Sequence, residues 1–363
     1  MRGELKDFFL SLVRLGIGHD NADPNPNLNG SVDWIALKAL AERQGLSAVV
    51  LDGIDKVSLH SAKSLSLQLK LQWIGEVLQN YEARYSEYEK SISSLAGWYN
   101  RHGFRMMVLK GYACAMNWPN PKHRPCGDID IWQFGDYRKA DAKLVSEKDI
   151  KVDTSHHHHT VFEWQGFSVE NHFDFLNVYH HRSNREMEVI LKELGSDDSN
   201  SVMVCGEKVY LPSANLHALF LLRHSMSNFA STGFQLRQLL DWGFFVEKHG
   251  KEIDWEWLEG QVVHFGMKKL FDIFNAICVE DLGFNVKLFP QMTSVHDLKN
   301  RVLNDILAPE FSDKETGGFF SRAVLKLRRW RANAWKHELC FSESMWSAFW
   351  SGVWGHLMKP GMV

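Results

Sequence analysis

Residues 126–132, CGDIDIW, place two carboxylates inside a run that otherwise resembles a buried β-strand. Side chains alternate between the two faces of a strand, so Asp128 and Asp130 are predicted to share one face and Ile129 and Ile131 the other. Carboxylates about 6–7 Å apart on a buried strand repel each other and lose hydration, and a shared divalent cation relieves both penalties. An Asp-rich turn leading into a strand explains the same pattern, so a third partner is needed to decide.

The segment FSVENHFDF, residues 167–175, offers that partner. Strand alternation predicts that Glu170, His172 and Asp174 share one polar face within apolar sequence. If this strand lies next to the first, Glu170 joins the paired aspartates, and three carboxylates can hold two Mg²⁺ ions together with substrate phosphates. The alternative is a solvent-facing Glu170 on a half-exposed hairpin.

A third segment lies upstream, VLKGYACAMNWPNPKHRPCGDID at 108–130. Gly111 permits a close approach of backbone to a phosphate, and a helix beginning there offers free N–H groups. Lys110 and Arg124 add positive charge. The segment lacks the GxxxxGK spacing and the hydroxyl of a Walker A loop, so that type of phosphate site is excluded.

Helical periodicity surrounds these three segments. Apolar residues recur at three- and four-residue spacing over 4–17 and 33–100, and again after Pro212. These flanking parts of the chain are therefore predicted to be helical.

The part between them has short β-like runs, an amphipathic helix at 136–148, and a hairpin turn at WQG, residues 164–166. We predict an α+β fold with a small mixed β-sheet core and helical flanks. The predicted boundaries are an N-terminal helical region at 1–103, the α/β core at 104–211 and a C-terminal helical domain at 212–363.

Composition limits the function classes. The chain has 363 residues, 45% of them hydrophobic, which is ample for a packed core. The net charge of −3 gives no bulk attraction to nucleic acid or an anionic membrane. Five scattered cysteines without a CxxC pair favour a reducing cytoplasm over a disulfide framework or zinc ribbon. We also expect neither a secretory signal nor a membrane span.

Four consecutive histidines, His156–His159, form a second cluster of interest. In a strand, His156 and His158 would share one face and His157 and His159 the other. Such a tract can bind Zn²⁺ or Ni²⁺, which would permit a zinc-dependent hydrolase; the simpler interpretation is a polar hairpin strand lining a cleft. His172, beside Glu170 on its strand face, is the better candidate for a substrate contact.

Two arginines follow the second carboxylate strand. Arg182 and Arg185 lie where a guanidinium could reach a substrate phosphate. The alternative is an ordinary solvated start of a helix.

Three separated motifs together resemble a known family. LKG at 109–111, RPCGDIDIW at 124–132 and VENHF at 169–173 are similar, in order and spacing, to the uncharacterised bacterial nucleotidyltransferases of the DNA polymerase beta-like superfamily. That branch has LKG, then R-x-x-G-D-[IL]-D, then a hydrophobic-Glu-x-His strand. The resemblance extends loosely over 30–340 and is specific over 108–175.

The resemblance implies a nucleotidyltransferase core and transfer of a nucleoside monophosphate from an NTP, such as ATP, to an acceptor hydroxyl. Asp128 and Asp130 match the paired metal-binding catalytic aspartates, and Glu170 matches the third carboxylate, as metal ligand or general base. The implied cofactor is Mg²⁺, or Mn²⁺ in its place.

The same resemblance places Lys110, Gly111 and Arg124 near the nucleotide phosphates. This chain departs from the wider superfamily, which has Gly-Ser after the first strand, because Tyr112 follows Gly111. A catalytically inactive nucleotide- or protein-binding module on the same fold is therefore the alternative function. The acceptor is left open among small molecule, protein and RNA.

Overall fold

The structure is a computed structural model that describes residues 3–19, 32–57, 65–179, 181–231, 233–293, 296–310, 328–348 and 350–351. The chain divides into two compact units. The described residues of one unit lie within Glu76–Leu221, Lys248–Asp254 and Trp346–Val363, and those of the other lie within Met1–Gly75, Leu222–Glu247 and Trp255–Met345. The three-region division predicted from sequence stays a prediction.

The described elements confirm the predicted α+β class. The strands are β1 Met107–Val108, β2 Ile129–Trp132, β3 His159–Trp164, β4 Phe167–His172, β5 Ser201–Val204 and β6 Glu207–Tyr210. The helices are α1 Gly3–Gly16, α2 Trp34–Arg43, α3 Ser47–Lys56, α4 Leu67–Val77, α5 Arg84–Arg101, α6 Lys110–Ala115, α7 Tyr137–Lys148, α8 Arg182–Leu194, α9 Ala214–Ala230, α10 Leu236–His249, α11 Trp255–His264, α12 Lys268–Ala276, α13 His296–Leu307 and α14 Ala334–Cys340. Short π-helical segments lie at Leu78–Ala83 and Ile277–Asp281, and 3₁₀ turns at Pro121–His123 and Val286–Leu288.

The six strands form one mixed sheet in the order β3-β4-β2-β1-β6-β5. β2 and β4 are parallel neighbours, whereas β3 with β4, β1 with β2, and β5 with β6 are antiparallel. The two segments that carry the carboxylates predicted from sequence are therefore adjacent, as the second and third strands of the sheet.

Two tight turns close the β3–β4 and β5–β6 hairpins. Gln165 and Gly166 both have positive φ, 49° and 81°, as do Cys205 and Gly206, 45° and 92°. Two consecutive residues with positive φ form a type I′ turn, whose twist matches that of the flanking strands. Glycine adopts this conformation at the second position with little strain. The hairpin predicted at WQG is confirmed, and it fixes the register of β3 against β4.

The two faces of the central strands differ in character. Ile129, Ile131, Phe162 and Val169 pack into a buried apolar cluster with side chains of α5 and α7. Because side chains alternate, Asp130 and its neighbours on β4 lie on the opposite face. Burial of the isoleucines thus holds β2 in the register that presents Asp130.

A buried polar network joins α7 to the core face of the sheet. Asp141 accepts hydrogen bonds from the Thr160 hydroxyl at 2.7 Å and the Asn171 amide at 2.8 Å. Asn171 also donates to the Gln133 side-chain oxygen at 3.0 Å. These bonds satisfy the side-chain N–H groups of Asn171, which is fully buried on the core face of β4.

The loop after β4 is held by one carboxyl group of α8. Buried Glu188 accepts hydrogen bonds from the backbone N–H groups of Phe175 and Leu176, both at 2.9 Å. Burial raises the pKa of Glu188 to about 8; Asp174 adds to the rise, whereas the two N–H groups and Lys192 oppose it. The native state therefore retains a proton that the unfolded chain releases near pH 4.5.

This proton gives a pH-dependent stability. A raised carboxyl pKa contributes stability below about pH 4.5, which is lost as the pH rises toward about 8. Glu188→Gln removes the titration, so the free energy of unfolding of the variant minus that of the parent should rise between those two pH values by at least about 1.4 kcal/mol, the equivalent of one pKa unit. Urea unfolding across this range measures it. A difference that is independent of pH would contradict the assignment.

The second unit is helical in its described part. α1 packs closely on α3, and two glycines permit the approach: a Cβ on Gly16 would lie 2.0 Å from the Val49 carbonyl oxygen, and one on Gly53 would lie 2.1 Å from that of Leu12. Backbone cannot yield to such contacts, so both positions require glycine. Among the described helices of the whole chain, none has the length and apolar character needed to cross a bilayer.

Candidate functional site

The centre of the site is a pair of carboxylates on adjacent strands. Asp130 and Glu170 are register partners across the parallel β2–β4 pair, as are Trp132 and His172. One ligand atom each of Asp130, Glu170 and His172 lies within 4.8 Å of the others. The side chains of Asp130 and His172 are 3% and 1% exposed, while Glu170 at 25% reaches solvent. The structure thus brings together one aspartate, the glutamate and the histidine that the sequence singled out.

His172 is held in place from both ring nitrogens. Its Nε2 lies 3.1 Å from Oδ1 of Asp130 and 3.7 Å from Oε2 of Glu170, and its Nδ1 lies 3.2 Å from the backbone carbonyl oxygen of Asp174. β4 ends at His172, so Asp174 lies beyond the strand rather than on its face as predicted. The Asp174 carbonyl fixes the ring so that Nε2 faces the carboxylates.

Lys110, at the start of α6, forms an ion pair with Asp130. Its Nζ lies 2.7 Å from Oδ1 of Asp130, and it also lies over the ring of Phe220. Burial alone would lower the pKa of Lys110, but Asp130 and Glu170 outweigh it and the pKa is raised. The sequence predicted a phosphate contact for this lysine, and the structure places its ammonium group on the central aspartate.

The surroundings of Asp130 and Glu170 shift the pKa values of the two carboxyl groups in opposite directions. Burial favours a raised pKa for Asp130, but Lys110 and His172 more than offset it and hold the pKa well below its usual range. Burial and the charge of Asp130 raise the pKa of Glu170. The site therefore combines one firmly ionised carboxylate with one that is more basic.

Asp128 lies at the rim of the site. It precedes β2 and is exposed to solvent, unlike Asp130 two residues later. Loss of hydration and the charge of Asp130 raise the pKa of Asp128, while Lys110 and His172 lower it. The pKa of Asp128 is thus shifted by the same charges, although Asp128 lies outside the strand whose alternation predicted its direction.

Tyr88 of α5 holds the backbone at Asp128 in place. Its buried hydroxyl donates a 2.7 Å hydrogen bond to the backbone carbonyl oxygen of Asp128. A Cβ on Gly111 would lie 2.6 Å from the same hydroxyl. Gly111 is thus the residue that permits the close approach of this backbone to Tyr88. Sequence reasoning missed Tyr88, because nothing in its local pattern distinguishes it from other core aromatics.

This packing can be tested at Gly111. Gly111→Ala should lower the free energy of unfolding by about 1–3 kcal/mol, because the new methyl group overlaps the Tyr88 hydroxyl. Tyr88→Phe removes that hydroxyl, so the double variant should be more stable than the sum of the two single losses predicts. Urea unfolding of the four proteins supplies the cycle. Strict additivity would contradict the packing of Gly111 against Tyr88.

Arg124 and Arg182, both predicted to contact nucleotide phosphates, lie in different environments. Arg124 is buried and donates to the Pro125 carbonyl oxygen at 3.2 Å. Burial raises the pKa of Tyr88, and the positive charge of Arg124 opposes that rise. Arg182 is exposed and is the first residue of α8. Their proposed contacts with nucleotide phosphates stay predictions.

The histidine tract departs from its predicted strand geometry. β3 begins only at His159, so strand alternation does not apply to His156–His158. His159 is the register partner of His172, and its Nδ1 lies 3.8 Å from Oε2 of Glu170. Burial, with the positive charge of His172 as the next contribution, lowers the pKa of His159 to about 3. The end of the tract, at His159, therefore lies in the site.

The donor set fits a divalent cation. Carboxylate oxygens are the ligands that Mg²⁺ prefers, and Asp130 and Glu170 offer them within 4.8 Å of each other at a partly open position. Asp128 adds an exposed carboxylate at the rim. Lys110 supplies a positive charge that balances Asp130.

The chain belongs to the family described as uncharacterised nucleotidyltransferases, whose sequence model matches residues 30–282. A comparison with solved structures gives a limited likeness to an antigenic nucleotidyltransferase-like protein from Paracoccidioides brasiliensis, with 14% identity and a TM-score of 0.34, over 49% of this chain and 88% of that one. Comparison with curated proteins gives no significant match.

Proposed function

We propose that this protein transfers a nucleoside monophosphate from an NTP to an acceptor hydroxyl in a Mg²⁺-dependent two-metal reaction, releasing pyrophosphate. The observation that carries the proposal is the side-by-side placement of Asp130 and Glu170 on β2 and β4, within a chain of the nucleotidyltransferase family. Paired carboxylates at one position of a sheet are poorly explained by packing, because each loses hydration there.

Asp128, Asp130 and Glu170 would hold the metal ions. When bound, Mg²⁺ supplies charge stabilisation to the attacking and leaving oxygens of an in-line displacement. His172 orients Asp130 through its Nε2 and so keeps that carboxylate directed into the site. Mn²⁺ can take the place of Mg²⁺ because both accept oxygen ligands.

Proton transfer and contact with the triphosphate are the two further roles proposed for side chains of this protein. Glu170, with its partly exposed carboxylate, accepts the proton of the acceptor hydroxyl or completes the metal site. Lys110, Arg124 and Arg182 carry the positive charges proposed to contact the triphosphate, together with the backbone at Gly111. The acceptor is a small molecule, a protein or an RNA, and the proposed compartment is the cytoplasm.

Two observations favour a second candidate, an inactive binding module. Lys110 already neutralises Asp130, and Tyr112 occupies the position where the wider superfamily offers a hydroxyl to the triphosphate. In such a module, nucleotide or a protein partner would bind without transfer.

A thermal-shift series separates the two candidates. The protein is melted with each NTP, with and without Mg²⁺, and pyrophosphate is then measured in the presence of a cell extract. The enzyme predicts a stabilisation that requires both NTP and Mg²⁺, followed by pyrophosphate release. Stabilisation without pyrophosphate release favours the binding module, and no stabilisation by any NTP contradicts both nucleotide-based proposals.

A further inference from the structure

Three imidazoles converge beside the carboxylate pair. One ring nitrogen each of His158, His159 and His172 lies within 4.8 Å of the others. The ring centroids of His159 and His172 are 5.3 Å apart, and that of His158 lies 4.3 Å from the first and 5.6 Å from the second. These rings come from the two strands of the β3–β4 hairpin and the residue that precedes it, so the fold, and not the run of histidines alone, assembles them.

The backbone around the three imidazoles is fixed. The carbonyl oxygen of His158 accepts hydrogen bonds from the N–H groups of Phe173 and Asp174, at 3.0 and 3.1 Å, which ties the start of β3 to the end of β4. His172 Nδ1 lies against the Asp174 carbonyl oxygen. A histidine that binds metal through one nitrogen commonly donates the other to such a carbonyl, which sets the orientation of the ring.

His159 supplies an independent indication of a ligand. It is 7% exposed, and within the described residues its Nδ1 has no hydrogen-bond partner. That nitrogen faces the Glu170 carboxylate at 3.8 Å, too far for a hydrogen bond. A buried polar atom without a partner costs free energy, and a metal ion between the imidazole and the carboxylate would satisfy both.

We propose that His158, His159 and His172 bind a nitrogen-preferring divalent transition metal ion of the Zn²⁺ class, with Glu170 as the fourth ligand. Imidazole nitrogen suits zinc, whereas magnesium prefers oxygen. Tetrahedral zinc with bonds of about 2.0–2.1 Å places its ligand atoms about 3.4 Å apart. The three nitrogens lie within 4.8 Å of one another, so the side chains would have to move closer together to bind the ion. The site shares Glu170, and the Nε2 of His172 that contacts Asp130, with the proposed Mg²⁺ site, so zinc would compete with that site. Zinc binding itself does not require nucleotide transfer.

Zinc binding must be distinguished from adventitious binding by a run of four histidines. His156 is the matched control within the tract: it stacks on His159, and its Nε2 lies 3.6 Å from Asp153, outside the trio. His172 is the matched test outside the tract. A tract that binds as a flexible peptide should need His156 as much as His159 and should not need His172.

The experiment is calorimetric titration of chelator-stripped, untagged protein with Zn²⁺, comparing the parent with the His156→Ala, His159→Ala and His172→Ala variants. We expect one ion per parent chain, a loss of at least about 10-fold in affinity for the His159 and His172 variants, and no change for the His156 variant. Titration of the parent in denaturing urea should remove the binding, because the trio exists only in the folded chain.

Three results would overturn the proposal: no binding by the parent, unchanged binding by the His172 variant, or equal losses for the His156 and His159 variants. Circular dichroism of each variant shows whether it is folded. If His172→Ala unfolds because Asp130 loses its partner, the comparison of His159→Ala with His156→Ala and the urea titration still decide the matter.

Discussion

Asp130→Asn is expected to abolish transfer and to destabilise the protein, because this carboxylate is the buried centre of the site. Its side chain is 3% exposed and pairs with Lys110 at 2.7 Å and His172 at 3.1 Å. Removing one member of a buried pair leaves the other charge without compensation, at a cost of about 3 kcal/mol. Urea unfolding measures this loss, and pyrophosphate release measures the loss of activity.

Asp128→Asn is the matched control. Asp128 is exposed and lies before the strand, so the same change there should leave the free energy of unfolding within about 0.5 kcal/mol of the parent. It should nevertheless remove Mg²⁺-dependent stabilisation by NTP, because the metal site loses a carboxylate. Unfolding of this variant would instead support a turn-capping role for Asp128, and unchanged Mg²⁺–NTP binding would remove it from the metal site.

Glu170→Gln should reduce the transfer rate by about 10²–10⁴-fold while sparing most of the nucleotide affinity. The substitution keeps the size of the side chain and removes its ability to accept a proton or to share a cation with Asp130. Because Lys110, Arg124 and Asp130 are unchanged, the triphosphate should still bind. Single-turnover kinetics and NTP titration report the two effects separately.

Glu163→Gln provides the corresponding control on the neighbouring strand. Glu163 is exposed on β3 and is the register partner of Ser168, outside the carboxylate pair. The Glu163→Gln protein should transfer the nucleoside monophosphate at the parental rate. If Glu170→Gln also transferred at the parental rate, both roles proposed for Glu170 would be wrong.

Much of the fold follows from local pattern. The period of two in GDIDIW and FSVENHF predicted the two strands and the shared face of Glu170 and His172, and the WQG turn predicted the hairpin. Asp128 and Asp174, which were predicted to share these faces, lie outside the strands. The pairing of Asp130 with Glu170 followed once the two strands were taken as neighbours, and they are register partners. These inferences succeeded because strand geometry depends only on positions close in sequence.

The remainder depends on contacts between distant residues. The ion pair of Lys110 with Asp130 joins the start of a helix to the middle of a strand, and Tyr88 reaches Asp128 from α5. The place where β3 begins decides which histidines enter the site, and the sequence pattern gave no sign that His156–His158 would precede the strand. Such contacts are set by tertiary packing, which local periodicity does not contain.

The most direct test of the proposed function is a labelling experiment with ATP and the other NTPs, each labelled either on the α- or on the γ-phosphorus, in a cell extract with Mg²⁺. Nucleotidyl transfer predicts that an acceptor gains the α-label and not the γ-label, that the label requires Mg²⁺, and that the Asp130→Asn protein fails to transfer it. Transfer of the γ-label, or an α-label that persists with Asp130→Asn, would contradict nucleotidyl transfer at this site.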